Sequence, residues 1–404
     1  MDALDIITDL ENVFPYFQAI FNADEHRIIG YEIFGRYRSS EGIISIGSFF
    51  EDEQVPEEYR ILVDNEVLRK ALQLSLDLDD DVLLFINRNA KLLLHDDDES
   101  FLNLLIEYEK LGVKMARYIL EISGGLDQGD IDHLDHLLTY YRTYGMKIAM
   151  DKIGNDQNGQ LERIGQIAPD IIKVDLKALK STETSRAFQD VLFTLSMLAR
   201  KIGATLLFEN IEMVYQLQFA WKNGGRFYQG YYLQKPSEQF VDRSILKSRL
   251  REEIHEFITY EKKNLVSLIE MRNLLQAKLQ LVLAKNKKTD SYDDWLMNFS
   301  KEFDDIAFRL YVCDEDGFQK SANIFKEKNS WVLQEDYINK NWSWRPFFLE
   351  NIIYMMKEQK GILSDLYSDI EIGELIRTFS YPLNESDFLF IDISYDYLYE
   401  QLKF

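Results

Sequence analysis

Between Val13 and about Leu233, short apolar runs end on a polar residue, and each is followed by a loop and an amphipathic segment. The polar residues at the run ends are Gln18, Glu32, Asn87, Glu121, Asp151, Lys173, Asp175, Glu209 and Gln229. Strand-like runs that alternate with helical segments are typical of βα units. Because a parallel (β/α) barrel presents its reactive groups at the carboxyl ends of its strands, the pattern predicts such a barrel with these side chains on the rim.

The segments between the runs have the period of amphipathic helices. Helices are predicted over 57–78, 99–112, 129–144, 184–202 and 213–223. The first two runs, 13–21 and 27–34, are joined by a connection too short for a crossover helix, so they should pair antiparallel. The predicted fold is therefore α/β, a modified (β/α)8 TIM-like barrel.

A different pattern follows Pro236, because neither glycine nor proline occurs again before Gly317. Apolar residues recur three, four or seven positions apart from Ile254 to Val282, which predicts a long amphipathic helix starting near 238. Two roles remain open for this helix. It packs on its own domains, or it pairs with a second copy of the chain in a homodimer.

The last part of the chain has strand-like runs and helical segments in an α+β order. Strands are predicted over 308–317, 330–333, 374–381 and 388–393, and helices over 292–304 and 346–358, lying to one side of the strands. A chain of 404 residues exceeds one ordinary core. We therefore predict a barrel domain at 1–240, a linker helix at 241–290 and an α+β domain at 291–404.

Composition narrows the classes of function. The net charge of −23 argues against general nucleic-acid binding, which needs basic patches. An anionic ligand would need a local positive pocket, which Arg36, Lys152 and Lys173 could supply. No apolar run is long enough for a membrane span, and the acidic N-terminus lacks the order of a signal peptide. The single cysteine, Cys313, excludes an internal disulfide, so we expect a cytoplasmic protein.

Four of the rim residues are hard oxygen ligands, suited to Mg²⁺, Mn²⁺ or Ca²⁺. They are Glu32, Asn87, Glu121 and Asp151. Two acidic runs, 79–81 and 96–99, also resemble metal clusters, but such runs are more often solvated loops and helix N-terminal turns. The sequence therefore places a divalent-cation site on the rim.

The segment Tyr31–Arg36, Tyr-Glu-Ile-Phe-Gly-Arg, resembles the Glu-Ala-Leu-x-Arg signature of EAL domains, the cyclic-di-GMP phosphodiesterases. The resemblance covers about 13–236, and the whole chain is most similar to YkuI-type EAL proteins. Each further match is weak alone, but their common order is specific. These matches are Gln18, Asn87, Glu121, Asp151, Lys173, Asp175, Glu209, Glu212, Gln229, Gly230, Tyr231 and Pro236.

The resemblance implies a role for each matched residue. Glu32, Asn87, Glu121 and Asp151 would hold a divalent metal. Lys173 and Glu209 would bind and polarise the attacking water. The residues implied for the cyclic-di-GMP pocket are Gln18, Glu32, Arg36, Asp175, Gln229, Gly230 and Pro236.

Two departures from the family pattern bear on catalysis. The paired aspartates of the family are Asp151-Lys152 here, so a cation replaces a ligand of the second metal. A glutamate that in the family helps to hold the loop carrying these aspartates is replaced by Gly124. Three hypotheses follow: a cyclic-di-GMP receptor with weak or no hydrolysis, a working phosphodiesterase that yields pGpG, or a protein-interaction module without nucleotide binding.

Residues 291–404 resemble a PAS/Cache-like sensory module. Arg345 could bind the carboxylate of a small ligand, with Trp344, Asp365 and Tyr367 closing the site. The alternative is that the aromatic residues Trp342, Trp344 and Phe347 form a core and that Arg345 is an ion-pair partner. The sequence identifies neither this ligand nor a downstream partner, and it leaves the metal and the dimer geometry open.

Overall fold

A computed structural model describes residues 3–96, 98–123, 130–153, 160–177, 179, 186–285, 291–328, 330–345 and 348–402, without side chains at 152–153, 160–162, 186–189 and 401–402. The chain divides into two compact units, Met1–Phe257 and Ile258–Phe404. The division falls within one long helix, and each unit is described by itself. The predicted domain boundaries at 240 and 290 stay predictions.

The first unit is a closed barrel, as predicted. Its strands are β1 (Val13–Asn22), β2 (Ile28–Ser39), β3 (Gly42–Ser45), β4 (Leu83–Asn89), β5 (Tyr118–Ser123), β6 (Lys147–Ile153), β7 (Ile171–Asp175), β8 (Thr205–Glu209) and β9 (Phe227–Tyr228). Parallel pairing joins β2, β4, β5, β6, β7, β8 and β9 in that order. Strand β1 closes the ring by pairing antiparallel with both β2 and β9, and β3 extends β2 outside the ring.

Helices precede, connect and follow the barrel strands, and the last of them continues into the second unit. They are α1 (Ala3–Thr8), α2 (Gly47–Glu51), α3 (Glu57–Leu74), α4 (Ala90–Leu94), α5 (Ser100–Lys110), α6 (Asp130–Thr143), α7 (Gln160–Ile167), α8 (Arg186–Ile202), α9 (Val214–Lys222) and α10 (Lys247–Lys285). The structure adds α1, α2, α4, α7 and β3 to the predicted elements. Helix α10 starts at Lys247 rather than near 238, because Ser237 and Arg243 bond to the barrel backbone and 243–246 form a turn.

The alternation of side chains along each strand determines where the polar residues of the barrel lie. An apolar layer fills the barrel and consists of Ile20, Phe85, Ile119, Ala149, Ile171 and Leu207. Successive side chains of a strand point to opposite faces, so residues two positions further along point inward again. On five strands that step gives the polar residues Asn87, Glu121, Asp151, Lys173 and Glu209. The polar layer is therefore stacked directly on the apolar one.

Two rim residues lie elsewhere on their strands than predicted. Glu32 is in the middle of β2 and Gln18 is in the middle of β1, and the two are directly opposite each other. The expectation that each run stops at its polar residue is wrong for this pair. The antiparallel pairing of β2 with β1 and β3 keeps both strands extended beyond the barrel rim.

The second unit is an antiparallel sheet with helices on both faces. Its strands are β10 (Ala307–Asp314), β11 (Asn323–Glu327), β12 (Ser330–Gln334), β13 (Ile362–Leu363), β14 (Tyr367–Ser368), β15 (Leu375–Pro382) and β16 (Asp387–Ile393). Their order is β12-β11-β10-β16-β15-β13, and β14 also pairs with β15. The helices are α11 (Tyr292–Ser300), α12 (Phe348–Glu358) and α13 (Tyr395–Leu402).

The two faces of this sheet are covered by different helices. Leu310 and Ile391 belong to a core that includes Leu279 of α10 and Phe299 of α11. On the opposite face, Tyr311 packs in a smaller cluster with Ile352 of α12. Helices on both faces differ from the predicted one-sided arrangement. In the described part of the chain, none of the helices has the length and hydropathy required to cross a membrane.

Candidate functional site

A cavity of about 340 Å³ opens at the barrel rim of the first unit. Seven residues predicted for the site line it, namely Gln18, Glu32, Arg36, Asn87, Asp151, Glu209 and Gln229. Ser45, Phe50, Asp64, Arg88 and Asn210 also line it and were not predicted. The strand order therefore brings most of the dispersed sequence positions to one place.

Lys173 is the centre of the charged cluster beneath this cavity. Its side chain is buried, and its Nζ lies 2.9 Å from Glu32 Oε2 and 2.8 Å from Glu121 Oε2. Glu209 Oε2 is 3.2 Å away. Burial alone would lower the pKa of Lys173, but the surrounding carboxylates outweigh it and raise that pKa well above its usual value. The ammonium group therefore stays charged at neutral pH.

Both carboxylate oxygens of Glu32 have hydrogen-bond partners. It accepts hydrogen bonds from Asn87 Nδ2 at 2.7 Å, from Lys173 at 2.9 Å and from Gln229 Nε2 at 2.7 Å. Burial would raise the pKa of Glu32, but the lysine charge and the three donors together lower it. We conclude that Glu32 is ionised in the folded protein.

Glu121 also contacts Lys173, but its two carboxylate oxygens are in different environments. Its Oε1 atom is buried and has no hydrogen-bond partner among the described residues. Burial and the charge of Glu32 raise the pKa of Glu121 well above its usual value, and Lys173 only partly opposes them. An unpartnered buried carboxylate oxygen is costly unless a donor or a cation satisfies it.

Glu209 completes the acidic cluster near the cavity mouth. Burial, with the nearby charge of Asp151, raises the pKa of Glu209 to about 7 against the effect of Lys173. A carboxyl group with such a pKa exchanges its proton near neutral pH, which suits it to general acid–base chemistry.

Gln18 and Gln229 connect the antiparallel strand β1 to this cluster. Gln229 Nε2 donates to Gln18 Oε1 at 3.2 Å as well as to Glu32. Gln18 Nε2 in turn donates to the carbonyl of Gln234 at 3.3 Å. The buried Gln229 Oε1 has no hydrogen-bond partner in the described part of the chain, so one acceptor remains for a ligand.

Arg36 forms the positive side of the cavity. Its guanidinium lies 5.1 Å from the ring centre of Tyr16 and 5.7 Å from that of Phe34. It donates to the carbonyl of Gly35 at 2.8 Å and to Ser45 Oγ at 3.3 Å. Among the described residues, the structure gives Arg36 no carboxylate partner, so its charge is available to an anion.

Three other residues predicted for the site, Asp175, Gly230 and Pro236, do not line the cavity. Asp175 Oδ1 accepts from Asn210 Nδ2 at 2.9 Å and from a backbone amide. Gly230 has a φ of 155°, and a Cβ there would meet the carbonyl oxygen of Ile211 at 2.1 Å. Pro236 belongs to the segment that returns to β1. Of the two departures, Gly124 lies outside the described residues, and the side chain of Lys152 is not described.

The oxygen donors of these residues indicate whether the site fits a divalent cation. No group of three or more His, Cys, Asp and Glu side chains within the described ranges is already arranged to hold a metal ion. The Lys173 ammonium instead lies between the carboxylates of Glu32 and Glu121. However, the oxygen donors are those that Mg²⁺, Mn²⁺ and Ca²⁺ prefer, and the Glu121 Oε1 atom lacks a partner. The donor chemistry therefore fits a hard cation, provided that Lys173 moves.

A second layer of the site was not predicted from the sequence. Arg88, directly after Asn87, points to the opposite face of β4 and pairs with Asp64 of α3. It also donates to Asn65 Oδ1 at 2.9 Å, and its guanidinium lies 4.6 Å from the ring centre of Phe101. The sequence feature that could have indicated this layer is an arginine within an apolar strand, because a buried arginine needs a buried partner.

The predicted ligand site of the second unit is only partly assembled. Arg345 lines a cavity of about 10 Å³, which holds about one water molecule. Its guanidinium stacks over Trp342 at 4.4 Å, whereas Trp344 is 63% exposed. None of the three residues predicted to close the site, Trp344, Asp365 and Tyr367, lines this cavity. The alternative of an aromatic core is also wrong for Trp344, and Phe347 lies outside the described residues.

Comparison with known proteins identifies the family of the chain. The family model of the EAL domain matches residues 2–236, and that of an EAL-domain associated signalling protein domain matches residues 240–404. The uncharacterized EAL-domain containing protein YkuI of Bacillus subtilis (strain 168) is 49% identical over 403 residues, which are 99% of this chain and 99% of YkuI.

Solved structures give the same result. The crystal structure of Bacillus subtilis YkuI, in complex with substrate c-di-GMP and calcium, has a TM-score of 0.93 at 48% identity and covers 99% of each chain. An EAL domain protein from Listeria monocytogenes EGD-e matches 59% of this chain and 94% of its own length with a TM-score of 0.51. Its 18% identity shows the fold alone. The EAL resemblance is thus confirmed, and the chain belongs to the EAL-domain family.

Proposed function

We propose that this chain binds cyclic-di-GMP and a divalent cation at the barrel rim, and that it hydrolyses the nucleotide slowly or not at all. The observation that carries the proposal is the convergence of Glu32, Asn87, Glu121 and Lys173 beneath a cavity whose wall holds Arg36. The similarity to YkuI, which was crystallised with c-di-GMP and calcium, supports it.

Phosphate recognition is assigned to Arg36. A guanidinium can donate two parallel hydrogen bonds to a phosphate, and this one has no carboxylate partner among the described residues. The rings of Tyr16 and Phe34 already hold it in place, so little side-chain entropy is lost on binding. The free Gln229 Oε1 atom, with Gln18 and Asp175, would supply polar contacts to the base or ribose.

The cation is assigned to Glu32, Asn87, Glu121 and Asp151, whose oxygens are all hard donors. Such an ion lowers the pKa of a bound water and stabilises charge that develops on a phosphoryl oxygen. Glu121 would contribute the Oε1 atom that lacks a partner within the described part of the chain. Lys173 and Glu209 would then contact the water and the phosphate, since their charged atoms already adjoin this cluster.

Slow hydrolysis is inferred from the sequence departures at Lys152 and Gly124. A lysine in place of the second aspartate removes a metal ligand and repels a second cation. Positioned catalytic groups lose large rate factors when they are misplaced by about 1 Å, whereas contacts spread over a pocket tolerate such a shift. Binding should therefore survive changes that abolish turnover.

An active phosphodiesterase that produces pGpG is the second candidate. The pKa of about 7 at Glu209 favours it, because a proton acceptor with this pKa beside Lys173 could activate water. The two candidates differ only in turnover. They share the nucleotide and the cation.

Calorimetry with cyclic-di-GMP in Ca²⁺, followed by turnover in Mg²⁺ and Mn²⁺, tests both candidates. We expect saturable heat and little pGpG. Absence of saturable heat would leave only a protein-interaction module, whereas turnover of around 1 s⁻¹ would establish the enzyme. Lys152→Asp should raise turnover if the missing ligand is the main defect.

Three further proposals concern the protein as a whole. Residues 291–404 would form a PAS/Cache-like sensory domain in which Arg345 binds a small carboxylate. The protein would be a homodimer, supported by the exposed apolar residues Leu265, Ile269 and Leu274 on α10. Its location would be cytoplasmic, in keeping with its single cysteine.

A further inference from the structure

The outer face of strands β1 and β2 lies directly behind the site. Gln18 and Glu32 point into the barrel and are directly opposite each other. Their neighbours along the strands, Phe17 and Tyr31, therefore point outward, and both are almost fully buried. Something must cover these two aromatic side chains on the outside of the barrel.

The covering element is the segment 234–243, here called the strap, which leads from β9 toward α10. The backbone of Ser237 exchanges two hydrogen bonds with that of Phe17, at 2.8 and 3.0 Å. The Phe240 ring lies 4.2 Å from the Phe17 ring centre and 4.9 Å from that of Tyr31. The Tyr31 hydroxyl donates to the carbonyl of Val241 at 2.9 Å and accepts from its amide at 3.3 Å.

Both ends of the strap are fixed to the barrel. At one end, the carbonyl of Gln234 accepts the hydrogen bond from Gln18. At the other, Arg243 exchanges hydrogen bonds with the backbone of Ile28, and its guanidinium donates to Asp79 at 2.9 Å and to Asp81 at 2.7 Å. The strap is thus bonded to the barrel at both ends and, through Tyr31, between them. It therefore restrains the strands that it covers.

We propose that Tyr31 and Phe240 are positioning residues, which hold Glu32 and Gln18 in their binding geometry from the far side of the strands. Displacing Tyr31 would move its neighbour Glu32, since one backbone carries both. Glu32 makes three hydrogen bonds at once, so a small shift of its backbone disturbs Asn87 and Gln229 together. The inference rests on the proposed nucleotide and cation binding.

Tyr31→Phe is the sharpest test, because it removes one hydroxyl and keeps the ring against Phe240. We expect a roughly tenfold weaker affinity for cyclic-di-GMP in Ca²⁺, because the hydrogen bonds of the hydroxyl to both backbone groups of Val241 are lost. Tyr37→Phe is the matched control. Tyr37 is a buried tyrosine of the same strand whose hydroxyl bonds to Asp9 Oδ2 at 3.2 Å rather than to the strap.

The control should keep wild-type affinity while its unfolding temperature falls by as much as that of Tyr31→Phe. Equal losses of affinity in both variants would reduce Tyr31 to a general stabilising residue and overturn the inference. Phe240→Leu should weaken binding as Tyr31→Phe does, since the leucine cannot contact both rings.

A second readout does not depend on binding. The ¹⁵N side-chain amide signals of Gln18 and Gln229 should shift in Tyr31→Phe and stay unchanged in Tyr37→Phe. If the wild type binds no nucleotide, the proposed function fails, while these signals still decide the positioning role. Unchanged signals in Tyr31→Phe would overturn it even in a protein that binds.

Discussion

Lys173 Nζ lies 2.8 Å from Glu121 Oε2, and both side chains are buried beneath the cavity. The same ammonium contacts Glu32 and Glu209, so one positive charge compensates several buried carboxylates. Buried charges are tolerated only when they are paired, and removing one partner leaves the other uncompensated. Lys173 is therefore as important for the integrity of the site as for any chemistry.

Lys173→Met should destabilise the first unit by about 3–5 kcal/mol in the absence of metal, because three carboxylates lose their cation. Ca²⁺ should then stabilise the variant more than it stabilises the wild type, since the ion no longer competes with the ammonium. Thermal unfolding with increasing Ca²⁺ measures both effects.

Lys70→Met is the control for this experiment. Lys70 donates to backbone carbonyls of Leu10 and Val13 at 2.8 and 2.7 Å, away from the cluster. Its loss should lower the unfolding temperature without any added calcium response. An equal calcium response in wild type, Lys70→Met and Lys173→Met would show that Lys173 and the cation do not share a site.

Glu121→Gln removes the charge of Glu121 and keeps the size and shape of the side chain. Burial and the charge of Glu32 raise the pKa of Glu121, and Lys173 keeps Glu32 and Glu209 as partners in the variant, so the amide should cost less stability than Lys173→Met. Affinity for Ca²⁺ should nevertheless fall by at least about tenfold, because a charged ligand is lost. Calorimetry with Ca²⁺ alone measures this, and the exposed Glu107→Gln serves as control. Undiminished affinity would remove Glu121 from the ligand set.

Arg36→Lys tests phosphate recognition. Lysine keeps the charge but cannot donate two parallel hydrogen bonds, so affinity for cyclic-di-GMP should fall by roughly tenfold or more. Arg226→Lys is a matched control, since the Arg226 guanidinium also lies near an aromatic ring, 5.9 Å from the centre of Phe227, and does not line the cavity. If both variants bind equally well, Arg36 does not contact the phosphates.

The barrel and most of its polar layer were predictable because both follow from strand alternation, which is a property of the local sequence. The partners of Lys173 were not predictable in the same way. Which carboxylates reach its ammonium depends on strand order and on side-chain length across the barrel. The family resemblance implied that Lys173 contacts water and Glu32 holds metal, whereas in the structure the two side chains bond directly to each other.

The strap shows why the start of α10 was misplaced. Residues 238–246 lack glycine and proline and continue a helical composition, yet tertiary contacts override that preference. Phe240 gains more by packing between Phe17 and Tyr31 than it would from a further turn of helix. Such contacts join residues more than 200 positions apart, and no local pattern reports them.

The second unit has a buried ionic network whose pH dependence can be predicted. Arg309 donates to Asp369, Asp392 and Glu371. Burial would raise the pKa of Asp369, but Arg309 and two backbone amides outweigh it and lower that pKa below its usual value. Asp369 therefore contributes stability above the unfolded-state pKa of about 4, and this contribution is lost as the pH falls through the lower native value.

Asp369→Asn should thus cost about 1–3 kcal/mol at pH 7, and its difference from the wild type should shrink below about pH 4. Urea unfolding of the full chain followed by tryptophan fluorescence reports on this unit, because four of the five tryptophans lie in it: Trp295, Trp331, Trp342 and Trp344. The exposed Asp365→Asn should change little at either pH. If the difference in unfolding free energy between Asp369→Asn and the wild type stays constant from pH 7 to the lowest pH measured, Arg309 does not stabilise the Asp369 charge. The asparagine would then act through packing alone.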